Sequence, residues 1–184
     1  MQTAFGKNIP YDGSQLRTGW IAETFGVPGD AIAVFTGACD VAPEHMLDLE
    51  DLEAGESIRA RHMLHFIVEH AGVALPLMVA RQRLLASLAR DALARRRNVS
   101  GLVRHGDDLF IGRRKLSVSI AAASPASGLI HFAMNVDPDG APVPAIGLRE
   151  IEVNETSLGR VIAEAYVAEI ASCDHAATKV RPAR

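Results

Sequence analysis

Cysteine is scarce in this chain. Cys39 and Cys173 are the only two among 184 residues, which excludes a disulfide scaffold and makes a reducing interior the simpler setting. A surplus of positive charge is also missing: the formal net charge is -3, so no broad basic surface for nucleic acid is expected. No apolar run approaches the length that crosses a bilayer, and the opening MQTAFGKNIPYDGSQ lacks the apolar core of a signal peptide. No membrane partner is therefore expected, and a cytoplasmic location is the default expectation. Internal repeats and low-complexity segments are absent, and no HExxH or compact Cys/His pattern specifies a zinc site.

What is present describes one ordinary globular domain over residues 1–184, with 48% hydrophobic residues and enough length to bury a core without staples. A turn at Tyr11-Asp12-Gly13-Ser14 precedes a short helix over 16–25 that ends at Gly26. The run DAIAVFT at 30–36 and the run MLHFIVE at 63–69 read as strands, separated by a long polar connection. The clearest helix covers 77–95, with Leu77, Leu84, Leu88 and Ala92 along one face. Arg95, Arg96 and Arg97 sit where cations favour the carbonyl end of a helix dipole. Residues 107–111 (DDLFI), 115–121 (KLSVSIA) and 129–136 (LIHFAMNV) read as extended, and a last helix spans 157–172. The loop Ser124-Pro125-Ala126-Ser127-Gly128 joins the last two strands as an antiparallel pair. Strands with two substantial helices imply an α/β fold of the α+β type, its sheet covered by helices on one face.

Strand alternation turns this map into a site. In one strand Lys115, Ser117 and Ser119 oppose Leu116, Val118 and Ile120; in the next, His131, Ala133 and Asn135 oppose Ile130, Phe132, Met134 and Val136. Burying both apolar rows beneath helices would place Lys115, Ser117, Ser119, His131 and Asn135 on a common cleft-facing surface. A lysine there holds a carboxylate or phosphate as a compact cation and stabilises negative charge that develops on its oxygens. Asp107 and Asp108 would orient the ligand or meet a Mg²⁺ through phosphate oxygens. The competing reading is the wet side of an amphipathic strand.

Other residues raise further chemistry. Arg17 would supply a charged clamp near the cleft, or else lie on the surface. Cys39 would serve as an acyl-transfer nucleophile given a base such as His45, His65 or His131, or else be a small buried residue. Glu44, His45, Asp48, His62, His65, Glu69 and His70 raise a metal or hydrolytic site, against a polar network beside the cleft. His65 and Glu69 share one strand face, and His70 points the other way.

The stretch GDDLFIGRRKL at 106–116 resembles the segment around the catalytic lysine of biotin protein ligases and lipoate ligases. There an Asn-Asp pair precedes a strand, a Gly-Arg turn and a lysine that opens the next strand. The strand HFAMNV at 131–136 resembles the one ending in Asn-Val that follows in those enzymes. By this resemblance Lys115 matches the lysine that binds ligand carboxylate and adenylate, Asp108 the aspartate of the pair, and Asn135 the later asparagine. It implies a mixed, largely antiparallel sheet, with ATP and Mg²⁺ as cofactors if adenylation is retained. Over almost the whole chain, YDGSQLR, EHMLDLEDLEAG, MLHFIVEH, GDDLFIGRRKLSVSIA and HFAMNV resemble an uncharacterised family, domain of unknown function 366, that lies near those ligases. The Gly-rich adenylate loop and the Arg-Arg-x-Gly-Gly-Gly pattern of the ligases are absent, and Asp107 stands where they carry Asn.

The expected function is a ligase or acyl or adenylyl transferase acting on a carboxylate-bearing small molecule, with catalytic Lys115 and Asp108. Arg17, Ser117, Ser119, His131 and Asn135 would join Lys115 in holding the carboxylate or nucleotide. The alternatives are a non-catalytic ligand-binding or regulatory domain, a cysteine-dependent acyltransferase centred on Cys39, and a hydrolase. An uncovered sheet edge would favour a homodimer.

Overall fold

The structure, a computed structural model, describes residues 1–183. Strand β1 (Gln2–Phe5) leads through a long coil into helix α1 (Trp20–Phe25) and strand β2 (Ala31–Val41). A 3-10 turn and helix α2 (Leu49–Ala54) connect to β3 (Ile58–Ala71), and helix α3 (Leu75–Ala94) follows. Next come β4 (Leu102–His105), β5 (Asp108–Ile111), β6 (Arg114–Lys115), β7 (Ser117–Ala123) and β8 (Ser127–Asp137), and helix α4 (Glu155–Thr178) ends the fold. The main sheet has the order β1-β2-β3-β8-β7, and β4-β5-β6 form a second, small sheet. Of the pairings between these strands, that of β1 with β2 is parallel and the rest are antiparallel. The expected mixed, largely antiparallel sheet is what the chain forms.

Alternation along the central strands sorts their side chains into two cores. Ile32, Val34, Leu64, Phe66, Ile130, Phe132 and Met134 pack beneath α3 and α4. Full burial of each such side chain contributes roughly 1.5–3 kcal/mol. Ala31, Ala33, Phe35, Met63, Ile67 and Ala133 face the other way, where Tyr11, Leu16, Trp20 and Ile21 cover them. The face opposite the two long helices is therefore closed by the N-terminal segment, not open and polar as the strand pattern implied. Two turns of sequence explain why the helices hold: α3 begins with a proline in its first turn, and the Asn154 side chain caps α4 by accepting from the Ser157 backbone N–H at 2.8 Å.

Helix α3 is rotated from its expected setting. Its buried stripe is Met78, Gln82, Leu85, Ala89 and Leu93, whereas Leu77 is exposed. The alanines at 86, 89 and 92 fill much of the buried face, so the largest leucines need not all point inward. In α4 the stripe runs through Leu158, Ile162, Tyr166 and Ile170, and Glu169 lies outside it.

Gly37 decides how the N-terminal segment reaches its face. Ile9 N–H donates to the Thr36 carbonyl and Tyr11 N–H to the Ala38 carbonyl, which lays the segment against a bulge in β2. A Cβ at Gly37 would stand 1.9 Å from the Ile9 carbonyl oxygen, so only glycine permits this crossing. Tyr11 is thereby carried over the sheet.

Candidate functional site

The strand carrying Lys115 breaks immediately after it. Lys115 belongs to β6, where it pairs with Phe110, and its main chain is also clamped by residues 144–146: its N–H donates to the Pro144 carbonyl and its carbonyl accepts from Ile146 N–H. Leu116 then turns into the helix-side core before β7 begins at Ser117. This break changes the phase of the strand. Ser117 and Ser119 pair with Met134 and Phe132, while Val118 and Ile120 pair with Ala133 and His131. The surface expected to combine Lys115, Ser117, Ser119, His131 and Asn135 is therefore corrected at Ser117: both serines share the helix-facing side with Phe132, where Ser117 is buried, whereas Ser119 still lines the cleft of Lys115 and Asn135, and Val118 and Ile120 share the opposite side with His131.

Both serines are committed to positioning. Ser117 is buried, and its hydroxyl accepts from Leu109 N–H at 2.8 Å. Ser119 donates to the Asp107 carboxylate at 2.7 Å, and Gln82 of α3 donates to Asp107 at 2.8 Å and to the Ser119 hydroxyl at 2.7 Å. This three-residue network fixes the turn that presents Asp108. Gln82 gave no signal in sequence, being one polar residue in a helix rich in Ala, Leu and Arg.

Lys115, Asp108 and Asn135 do meet. The Lys115 ammonium lies 2.8 Å from the Asp108 carboxylate, with side chains 30% and 25% exposed. Asn135 donates its side-chain amide N–H to the Lys115 carbonyl at 3.2 Å, and its backbone N–H binds the Leu116 carbonyl. These residues line a cleft of about 240 Å³ together with Asp51, Glu56, Met63, Val118 and Ala145. Burial pushes the Asp108 carboxyl above the usual carboxylate range; the bond from Lys115 offsets part of that rise, and Asp107 adds to it. Asp51 is also raised, first by burial and then by Asp48 and Glu56. Asp51 was visible in sequence only as one acid among many in the polar connection.

A narrow extension of about 40 Å³ continues from this cleft toward Tyr11, Leu16, Ile120 and His131, and Asp48, Asp51, Ile58, Val118 and Ser119 line both spaces. At its inner wall His65 Nδ1 and His131 Nε2 are 3.1 Å apart, and His65 Nε2 lies 3.3 Å from the Gly37 carbonyl. Tyr11 stacks on His131 with ring centroids 3.8 Å apart, and Phe35 stacks on His65 at 4.9 Å. Burial lowers the His65 pKa to about 3 and that of His131 well below its ordinary value, so both rings are neutral. Burial likewise raises the Tyr11 phenol far above its ordinary value.

Two candidates fall outside this geometry. Arg17 is exposed and salt-bridges Glu23, and it lines neither space, so the expected clamp is not formed. Cys39 is 1% exposed, and burial with the nearby Asp40 charge pushes its thiol up to about 12. Its sulfur has the Ile58 carbonyl as its polar neighbour, 4.0 Å away, and the histidines proposed as its base are bonded elsewhere: His65 to Gly37 and His131, and His45 to the Asp12 carbonyl. A thiol without a base is the opposite of an activated nucleophile.

Glu69 and His70 are structural. Both Glu69 carboxylate oxygens accept from Gly19 N–H at 3.1 Å at the start of α1. His70 points to the other face, as expected, and bonds Asp30 and Tyr166. Among the described residues no group of three or more His, Cys, Asp or Glu side chains is placed to hold a metal ion. A wider cleft of about 350 Å³ beside β1 carries only Lys7 and Arg160 as charged groups, and the Arg160 guanidinium is already stacked 4.4 Å over the Phe5 ring.

Residues 1–181 match the model of the family described as "Domain of unknown function (DUF366)". The chain belongs to this family. An uncharacterized protein of Methanocaldococcus jannaschii is 34% identical over 181 residues, covering 95% of this chain and 81% of that one. A solved protein of unknown function from Pyrococcus horikoshi is 35% identical, covers 99% of this chain and 100% of its own, and superposes with a TM-score of 0.92. The biotin protein ligase of Aquifex aeolicus in complex with biotin and ATP is similar at a TM-score of 0.58 and 12% identity, over 90% of this chain and 69% of the ligase. The chain thus has a fold similar to that of the biotin and lipoate ligase catalytic domains. No helix among the described residues is long and apolar enough to cross a membrane.

Proposed function

We propose that this chain is a ligase or acyl/adenylyl transferase that binds a carboxylate-bearing small molecule in the Lys115 cleft. One observation carries the reading: the Lys115 ammonium is held by Asp108 at 2.8 Å on a cleft wall whose backbone is fixed from three sides. A pre-positioned cation in a partly desolvated cleft stabilises charge developing on carboxylate and phosphate oxygens more than a mobile surface lysine does. Asp108 orients the ammonium, Asn135 locks the main chain beneath it, and the Gln82–Ser119–Asp107 network holds the turn before it. The resemblance of residues 106–116 to the lysine segment of biotin and lipoate ligases supports the same role for Lys115.

The lining suits ATP only as a Mg²⁺ complex. Asp48, Asp51, Glu56, Asp107 and Asp108 face Arg59 and Lys115, five carboxylates against two cations, so bare phosphates would be repelled. Mg²⁺ takes most of its ligands from phosphate and water and needs only one or two carboxylates, a part that Asp51 and Asp108 can fill without a protein cage. Bound ATP would supply the phosphate linkage that activates a carboxylate for transfer. The same excess of acid favours one second reading, a non-catalytic cleft for a ligand with a basic group.

Acid-dependent exchange of labelled pyrophosphate into ATP, run over short-chain, medium-chain and heterocyclic carboxylic acids, separates these readings. At least one acid should drive exchange, and Lys115→Ala, shown to be folded by circular dichroism, should lower it about a hundredfold, the usual cost of one charge-stabilising donor. No exchange with any acid, together with basic ligands that bind equally well to Lys115→Ala, would replace the ligase with the binding module.

A further inference from the structure

The inner extension of the cleft is lined by His131, which is bonded to the enclosed His65, and the hydrogen atoms of both imidazoles can be assigned by elimination. The Gly37 carbonyl can only accept, so His65 Nε2, 3.3 Å away, carries the hydrogen. A neutral imidazole has one N–H, which leaves His65 Nδ1 as an acceptor. His131 Nε2 faces that acceptor at 3.1 Å and must be the donor. His131 Nδ1 is then a bare lone pair. No described residue donates to it, although His131 is only 3% exposed. Among the described residues no fully enclosed side-chain nitrogen or oxygen lacks a partner, so Nδ1 is reached from the space that His131 lines. Tyr11, stacked on the same ring, has no described partner for its hydroxyl either.

We infer that this extension is a specificity subsite for an uncharged ligand group bearing an N–H or O–H, such as an amide, a lactam or an alcohol, which donates to His131 Nδ1. His65 is the positioning residue: its bond to Gly37 dictates its own tautomer, and that dictates the tautomer of His131. An anion is excluded because it would meet a lone pair on a ring that burial keeps neutral. Asp48 and Asp51 line the same space and would attract an ammonium, but to reach the ring it would have to shed its hydration between Leu16, Val118 and Ile120. The space, about 40 Å³, admits a group of a few heavy atoms and not a ring system. The inference is independent of whether Lys115 holds a carboxylate.

Long-range ¹H–¹⁵N spectra of the histidines in the wild-type protein test it. Both His65 and His131 should appear as Nε2–H tautomers. Titration with acetamide should move the bare Nδ1 resonance of His131 toward the protonated range, at an affinity about fivefold above that for acetone, which has the same number of heavy atoms and no donor. In His65→Leu, if folded, His131 should lose its fixed tautomer and show averaged nitrogen shifts. An Nδ1–H tautomer for His131, equal responses to acetone and acetamide, no response to either, or a response to acetate alone would each overturn the assignment. An unchanged His131 tautomer in His65→Leu would remove the positioning role.

Discussion

Lowering the pH from about 7.5 to about 5.5 should cost this protein roughly 3 kcal/mol of stability, mostly through His65 and His131. The two rings stay neutral in the folded state, His65 down to about pH 3. In the unfolded chain each titrates near pH 6.5 and goes from mostly neutral to mostly protonated over that interval, at about 1.4 kcal/mol per ring. Their folded pKa values lie below the unfolded ones, so the contribution is complete above about 6.5 and is lost as the pH falls beneath it. His70, also lowered by burial, acts in the same direction. The Asp108 carboxyl, raised by burial, acts in the opposite direction. Urea unfolding at the two pH values measures the difference, and histidine NMR on the folded protein locates it. A loss below about 0.5 kcal/mol, or folded-state titration of either ring near 6.5, would refute the neutral buried pair.

Two further outcomes follow from the packing. Cys173 is exposed and Cys39 buried with its thiol pushed up to about 12, so a disulfide reagent should modify one thiol quickly in the native protein and the second only on unfolding; rapid loss of both would restore Cys39 as a reactive group. Gly37→Ala forces a methyl into the Ile9 carbonyl and should cost about 3 kcal/mol or more in urea unfolding. It should also perturb the His65 resonances through the displaced Gly37 carbonyl, and a loss below about 1 kcal/mol would show that the crossing has room to spare.

Much of the fold was legible because its strands are half-apolar and its helices periodic. The run at 30–36 enters β2 from its second residue, that at 63–69 lies inside β3 and that at 129–136 inside β8. The faces of β3 were read correctly, with His65 and Glu69 on one side and His70 on the other. The meeting of Lys115, Asp108 and Asn135 was also legible, since a short turn brings a strand back over its own beginning.

The misplaced serines have one physical origin. A strand's alternation predicts a face only while its phase is unbroken, and Leu116 breaks it where the small sheet hands the chain to the main one. Ser117 and Ser119 therefore turned toward α3, and Val118 and Ile120 took their place beside His131.

The sequence by itself determined the type of the longer elements, the apolar row that packs beneath the helices, and the short lysine segment, because these depend on residues near one another in the chain. Tertiary structure alone decided that Tyr11 would cross Gly37 and lie on His131, and that His65 and His131 would face each other. Those contacts join residues 66 and 120 positions apart, and no local pattern encodes which strands will be neighbours or in what register.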